Sequence, residues 1–367
     1  MREALALDPS LSFVGIGGAA MREAGLRPLF RAEEIAVVGF LEVVRHLPRL
    51  RRAFGACVEE MRQGVDAAVL VDYPGFNLRL ASRARGEGVP VLYFISPQVW
   101  AWKPGRIDRI ARDVDRMLVL FPFEVDLYRG KGIEVEYVGH PLVEAARAAA
   151  GREEAARRIG IDPSRPTLGI LPGSRASEVR RNLPPALGAA RILRRFFRDL
   201  QLVLPAAPGL DRDGIEPLLG RFPDLGVALT SEPFYDVLSV CRAAIVSSGT
   251  ATLETALMEV PMVVIYRLHP LTALIARRMT TLETFGLVNI VAGRRVVPEC
   301  IQENCTPERI AREIERFFGD AAHHEATVRA LHDVRAKLGE PGAYARAARS
   351  LVGFLEARRS AAVPSGM

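Results

Sequence analysis

Lysine is nearly missing from this 367-residue chain, occurring only at positions 103, 131 and 337, so arginine carries the formal net charge of +6. The arginines are spread along the chain without an interleaved aromatic stripe, which gives no support to a nucleic-acid-binding face. Cysteine is scarce too. Cys57, Cys241, Cys300 and Cys305 have neither CxxC spacing nor a histidine cluster beside them, the pattern of reduced thiols rather than of a zinc site. No carboxylate and histidine grouping reads as another kind of metal site. No apolar run reaches the roughly 18 residues needed to span a bilayer, and the opening MREALALDPS lacks the charged, apolar, small-residue order of a signal peptide. These absences lead to the expectation of a cytoplasmic globular protein.

With 49% hydrophobic residues the chain has enough apolar material for two ordinary cores. Apolar runs bounded by turn residues alternate with helical-period segments, the pattern of parallel sheets covered by helices on both faces. A first set of strands is expected at Ser12–Gly15, Ala67–Asp72, Val91–Ser96, Met117–Phe121 and Glu136–Gly139. A second follows at Thr167–Leu171, Leu202–Pro205, Val227–Thr230, Ala244–Ser247 and Met262–Tyr266. The fold class is therefore α/β with two doubly wound domains. Asp162, Pro163 and Pro166 mark the junction, giving residues 1–163, 164–345 and a C-terminal helix with a disordered tail over 346–367. Ligands of such sheets bind at the carboxyl ends of the strands.

Two stretches look built for phosphate. LPGSRASEV (Leu171 to Val179) and VSSGTATLE (Val246 to Glu254) each run an apolar strand into small residues that open a helix, where unpaired N–H groups and the helix dipole favour an anion. Gly173 and Ser174, with Arg175 beside them, do this in the first; Ser247, Ser248, Gly249 and Thr250 do it in the second. Strand-to-helix turns also use Gly and Ser for geometry alone. Two such loops in one domain, one carrying an arginine, favour a diphosphate ligand.

In the first half, the strand ending in DYPGFN places Asp72 where an active-site carboxylate sits, either taking a proton from an attacking hydroxyl or capping the following helix. The next strand ends in ISPQVWAWKPGR, whose Trp100, Trp102, Lys103 and Arg106 suit a sugar or acyl-phosphate ligand, although packing explains tryptophan equally well. Arg106, Arg109 and Arg112 also fit the solvated face of a helix. His140, in VGHPL, follows a strand and is read as satisfied by local backbone bonds. The segment FLEVVRHLPRLRRAF (Phe40 to Phe54) is both greasy and cationic and is expected to break near Pro48. It reads either as a membrane-surface element, through Leu47, Arg49, Leu50 and Arg51, or as two ordinary helices packed on the sheet.

Taken together, DYPGFN, SPQVWAWKPGRI, FPFE (Phe121 to Glu124), VGHP, LPGSRASEV, SSGTATLE and NIVAGRRVVPECIQE resemble the lipid-A-disaccharide synthase family, in the family's order from Phe13 to about Arg349. The resemblance implies a GT-B glycosyltransferase, with two Rossmann-like domains facing across a cleft, that joins UDP-2,3-diacylglucosamine to 2,3-diacylglucosamine 1-phosphate with inversion. It assigns Asp72 as base on the acceptor 6-hydroxyl and Arg175 to the leaving diphosphate. Gly173, Ser174, Ser248, Gly249, Thr250, Glu254 and Asn289 become the UDP-sugar side, and Asn77, Trp100, Trp102 and Arg106 the acceptor or cleft side. It further implies no metal, no cofactor, peripheral attachment to the inner membrane, a homodimer, and a place in the lipid A biosynthesis of a Gram-negative bacterium.

One departure stands out. The family opens with a strand and a GExSGD loop, whereas this sequence starts with MREALALDPSLSFVG, inside the helix that follows. The first domain is thus expected to lack a central strand and to leave its neighbours with unpaired backbone groups. That keeps open a non-catalytic UDP-sugar or lipid-binding homologue, beside a second enzyme reading as a UDP-N-acetylglucosamine 2-epimerase or MurG-like transferase. No strand is followed by GxGxxG; GIGGAA (Gly15 to Ala20) only approaches it, which disfavours a dinucleotide oxidoreductase.

Overall fold

The computed structural model describes residues 1–35, 40–100, 105–206, 212–268 and 284–362. They form two compact units, Met1–Pro141 with Pro341–Met367, and Leu142–Glu340. The first boundary lies some twenty residues before the one read from the prolines. Hydrogen bonds explain the shift: Asp236 accepts from the backbone N–H groups of Ala149 and Ala150, Arg152 donates to the carbonyl of Ser239, and the Asp162 N–H donates to Gln201. These bonds tie residues 149–162 to the second unit, and Pro163 and Pro166 merely turn the chain into its first strand. Conversely, the last helix, Ala343–Ala362, belongs with the first unit, where Arg116 donates to the carbonyl of Ser350, Arg346 to that of Val138, and Arg358 pairs with Asp115.

The first unit carries β1 (Phe13–Gly17), β2 (Leu26–Arg31), β3 (Ala68–Val71), β4 (Val91–Phe94), β5 (Arg116–Val119) and β6 (Glu134–Tyr137). All pairings are parallel, but the strands fall into two sheets, β1-β2 and β3-β4-β5-β6. Ile16 and Leu29 of the small sheet pack against the core of the larger one. Among the described residues, β1 and β3 each have one edge without a strand partner, and Val69 and Val71 of β3 are exposed. β2 was not foreseen because LRPLFR carries a proline and two arginines; Pro28 is accommodated opposite Gly15 at the edge of a two-stranded sheet.

The segment around Pro48 differs from its expected break. One helix runs through Phe40–Arg62 with Pro48 inside it. Proline removes a single backbone bond, and burial of Ala53, Cys57, Val58 and Met61 holds the rest of the helix on the core. The side chains of residues 35–46 lie outside the description, as do Trp102 and Lys103.

The second unit is a six-stranded parallel sheet of β7 (Thr167–Leu171), β8 (Gln201–Pro205), β9 (Ala228–Thr230), β10 (Ala243–Ser247), β11 (Met262–Tyr266) and β12 (Glu299–Ile301). Its order is β12-β11-β10-β7-β8-β9. β7 and β10 are buried along their whole lengths, as strands covered on both faces must be. β12, three residues at the edge, was not foreseen. Chain direction across the sheet reverses between β7 and β10, the switch point at which doubly wound sheets open a crevice at the strands' carboxyl ends. All four cysteines are free and buried.

Candidate functional site

The carboxyl ends of β3 and β4 hold a concentration of backbone strain. Asp72 and Tyr73 both adopt φ 45°, and Ile95, a β-branched residue, adopts φ 70°. Left-handed conformations at such side chains cost on the order of 1–3 kcal/mol each and persist where neighbours enforce them, commonly at functional sites. Here the enforcers are visible. The carbonyl of Asp72 accepts from Tyr93 Oη at 2.6 Å and from Asn77 Nδ2 at 2.8 Å, and the same Asn77 amide reaches the carbonyl of Val71 at 3.0 Å. The helix Pro74–Gly86 begins behind Tyr73 without a side-chain cap. The Asp72 carboxylate is therefore not spent on capping, and among the described residues it has no hydrogen-bond or ion-pair partner.

The remaining sequence candidates of this unit take different places. Asn77 serves the backbone of Val71 and Asp72. Trp100 is half-buried and donates its indole N–H to Glu124. Arg106 opens the helix Arg106–Asp113, and Arg109 and Arg112 pair with its last residue, Asp113. His140 is buried against the ring of Phe121, and burial pulls its pKa down to about 4, so the imidazole is neutral at pH 7.

In the second unit, the two loops expected to hold phosphate follow β7 and β10, the pair flanking the switch point. They are joined by a residue the sequence reading passed over. Asn182, 0% exposed in the helix Ala176–Leu193, donates to the carbonyl of Pro172 and the hydroxyl of Ser247, both at 3.1 Å, and accepts from the N–H of Arg267 at 3.0 Å. One amide thus clamps the ends of β7, β10 and β11. A polar residue three positions after Val179 on the buried face of an amphipathic helix was the available signal.

The first loop already contains an anion. Glu178 accepts from the backbone N–H groups of Ser174 and Arg175 and pairs with Arg175 Nη1 at 2.7 Å. Gly173, at φ 117°, is required for this approach, since a Cβ there would stand 2.7 Å from that of Glu178. A carboxylate of the chain itself satisfies the donors that were assigned to a ligand. In the second loop the Ser248 N–H donates to the carbonyl of Ile265 and its hydroxyl to that of Phe285. The N–H groups of Gly249 and Thr250 have no partner among the described residues.

Glu254 stands on the next turn, its carboxyl raised above the usual range by burial and hydrogen-bonded by Tyr235 Oη at 2.9 Å. Asn289 is 1% exposed; its amide donates to Val297 and Glu299 and accepts from the N–H groups of Val296 and Val297. Its hydrogen-bonding capacity is consumed inside the fold, where it braces β12. Glu299, also unremarked in the sequence, accepts from the N–H groups of Phe285 and Gly286 at the start of the helix Leu287–Ala292.

The profile of the lipid-A-disaccharide synthetase family matches residues 1–348. The chain belongs to this family. It is 48% identical to the lipid-A-disaccharide synthase of Geobacter sulfurreducens over 95% of this chain and 91% of that protein. It is 46% identical to the synthase of Anaeromyxobacter dehalogenans over 97% and 93%. Among solved structures it is similar to a putative UDP-N-acetylglucosamine 2-epimerase from Listeria monocytogenes, with TM-score 0.59, 9% identity and coverage of 95% and 97%. It is also similar to a calicheamicin glycosyltransferase, with TM-score 0.56, 16% identity and coverage of 99% and 94%. At these identities the likeness is one of fold, and the fold is GT-B. Among the described residues no helix is long and apolar enough to cross a membrane, and no group of three or more His, Cys, Asp or Glu side chains gathers to hold a metal ion.

Proposed function

We propose that this chain is an inverting glycosyltransferase of lipid A biosynthesis, joining UDP-2,3-diacylglucosamine to 2,3-diacylglucosamine 1-phosphate to give the disaccharide 1-phosphate and UDP. The observation that carries the catalytic assignment is the Asp72 carboxylate. It is exposed, unpartnered among the described residues, and mounted on a strained corner at the end of β3. In the proposed step the acceptor 6-hydroxyl oxygen attacks the anomeric carbon of the donor and its proton passes to Asp72. The anomeric carbon–oxygen bond breaks as UDP departs with the electron pair. Arg175 and the N–H groups of Gly249 and Thr250 stabilise the charge that grows on the diphosphate, a role that fixed cations and preorganised donors fill without reorganisation. In this reading Glu254, one helical turn on, takes the ribose hydroxyls.

Both substrates of this reaction carry acyl chains, so access to a lipid surface is part of the proposal. Leu47 is 37% exposed and stands beside exposed Arg49 and Arg51 and half-buried Leu50 on the helix Phe40–Arg62, a surface suited to an anionic headgroup layer. The assignment is tested by UDP release from UDP-2,3-diacylglucosamine with the monosaccharide phosphate acceptor, with each product identified by mass. A disaccharide phosphate, lost in Asp72→Asn and Arg175→Ala and retained in EDTA, supports it. An epimerised nucleotide sugar or UDP binding without turnover overturns it, and loss of activity in EDTA alone removes the metal-free mechanism.

A further inference from the structure

The loop after β4 is tethered twice to one helix, Pro122–Tyr128. At its start the hydroxyls of Ser96 and Tyr128, both buried, lie 2.8 Å apart. Four residues on, the Trp100 indole N–H donates to Glu124 Oε1 at 3.2 Å, while Glu124 Oε2 accepts from the N–H of Phe121, also at 3.2 Å. Aromatic rings wall this second tether. Trp100 meets Phe123 edge to face at 5.6 Å, Phe123 stacks on Phe121 at 5.4 Å, and His140 closes the row against Phe121. Glu124 itself is 2% exposed.

A carboxylate sunk among aromatic rings is costly, and capping the short helix does not require its charge, since glutamine accepts the same N–H. What the charge adds is a stronger hold on the indole. We propose that Glu124 is a positioning residue for acceptor recognition, fixing the Trp100 ring and with it the loop that bears SPQVW at the carboxyl end of β4. This deepens the glycosyltransferase reading and rests on it for the identity of the acceptor, an acylated sugar whose apolar face packs on the ring.

Burial pushes the Glu124 carboxyl up to about 7, with the hydrogen bonds from Phe121, Trp100 and Leu120 opposing it. Among the described residues, the titratable groups on the same helix are Asp126, which is exposed, and Tyr128, held neutral by burial, and His140 lies beyond Phe121, also neutral at pH 7. Arg106, Asp108, Arg109, Arg112 and Asp113 on the helix Arg106–Asp113, Arg116 on β5, and Glu134, Glu136 and Tyr137 on β6 belong to the elements packed against it but are not among the causes of that displacement. The tether therefore strengthens as the pH rises through neutrality.

Two measurements on the full chain test this. Tryptophan emission of the unliganded protein, followed across about two pH units on either side of 7, is expected to titrate once, and Glu124→Gln and Trp100→Phe are each expected to abolish that titration. In steady-state assays, Trp100→Phe, Glu124→Ala and Glu124→Gln are each expected to raise the acceptor KM about tenfold, with donor KM and kcat within about threefold, glutamine included because its single carbonyl oxygen cannot accept from both Phe121 and the indole. Flat emission in the parent protein overturns the proposal, as does an equal rise in both KM values or an unchanged acceptor KM in Glu124→Gln. The emission arm needs no turnover, so a chain that titrates but makes no disaccharide would fault the functional reading and leave the tether standing. If Glu124→Ala does not fold, the glutamine and phenylalanine variants carry both arms.

Discussion

Tyr93 Oη donates to the main-chain carbonyl of Asp72 across 2.6 Å, from a side chain that is fully buried in β4. The bond addresses the backbone rather than the carboxylate, so it leaves the acid group open while helping to hold its peptide in a left-handed conformation. Burial drives the Tyr93 phenol further up, keeping it a neutral donor at any working pH.

Tyr93→Phe keeps the ring and removes this donor. The expected result is a stability loss of about 1 kcal/mol by chemical denaturation and a fall in kcat of about tenfold or more, with both KM values little changed. Unaltered kcat would mean that Asn77 alone fixes the corner.

Glu178 occupies the N–H groups of Ser174 and Arg175 and pairs with Arg175, so a diphosphate at this loop meets a resident negative charge. Glu178→Gln keeps an acceptor for the backbone and deletes the charge. UDP is expected to bind about threefold to tenfold more tightly by calorimetry, the gain shrinking in high salt. Weaker binding would show instead that the ion pair aims Arg175 at the ligand.

How much of this was legible beforehand depended on sequence distance. The alternation of apolar runs and helical segments is a local pattern, and it located ten of the twelve strands among the described residues; β2 and β12 escaped because both are edge strands diluted by charge or proline. The loops at Gly173 and Ser248 were legible for the same reason. The interactions that position them were not: Asn182 reaches Ser247 and Arg267 across 65 and 85 positions, and no propensity encodes such a pairing. Asn289 illustrates the converse. A motif marks it, but only the fold reveals that its amide is used up in bracing Val296, Val297 and Glu299. The division into two compact units falls before residue 149 for a related cause, because the hydrogen bonds to Asp236 outweigh what Pro163 and Pro166 suggest locally.

Asn182→Leu deletes three buried hydrogen bonds and strands the carbonyl of Pro172 and the N–H of Arg267. The expected cost is about 1–3 kcal/mol in unfolding, together with a rise of about tenfold in the KM for the UDP-sugar and little change in that for the acceptor. Parallel rises in both would remove its proposed role as the clamp of the donor loops.

Two buried groups give stability opposite slopes with pH. His140 binds its proton less readily when folded, with a pKa of about 4 against an ordinary 6.5. The folded state then holds fewer protons, stability rises from pH 4 to 6.5, and it is lost on the way down, by up to about 3 kcal/mol. Glu124 is raised from 4.5 to about 7, so the folded state holds more protons and stability falls as pH rises through that window. Denaturation curves between these limits are expected to steepen downward with pH in His140→Asn and upward in Glu124→Gln. Unchanged slopes in both would show that neither group is perturbed in solution.

The helix Phe40–Arg62 exposes Leu47 and Arg49 and buries Ala53 and Cys57 farther along, so residues 47–51 are open to a surface while the C-terminal half anchors to the core. Apolar insertion and basic attraction are separable in such an element. Replacing Leu47 and Leu50 by Glu is expected to abolish flotation with vesicles of any charge. Replacing Arg49 and Arg51 by Glu should weaken binding only to anionic vesicles, by about 1 kcal/mol per charge, an effect that salt erases for the parent chain as well. If the double leucine variant floats as the parent does, the lipid contact of this protein is made elsewhere, and the exposure of Leu47 carries no function.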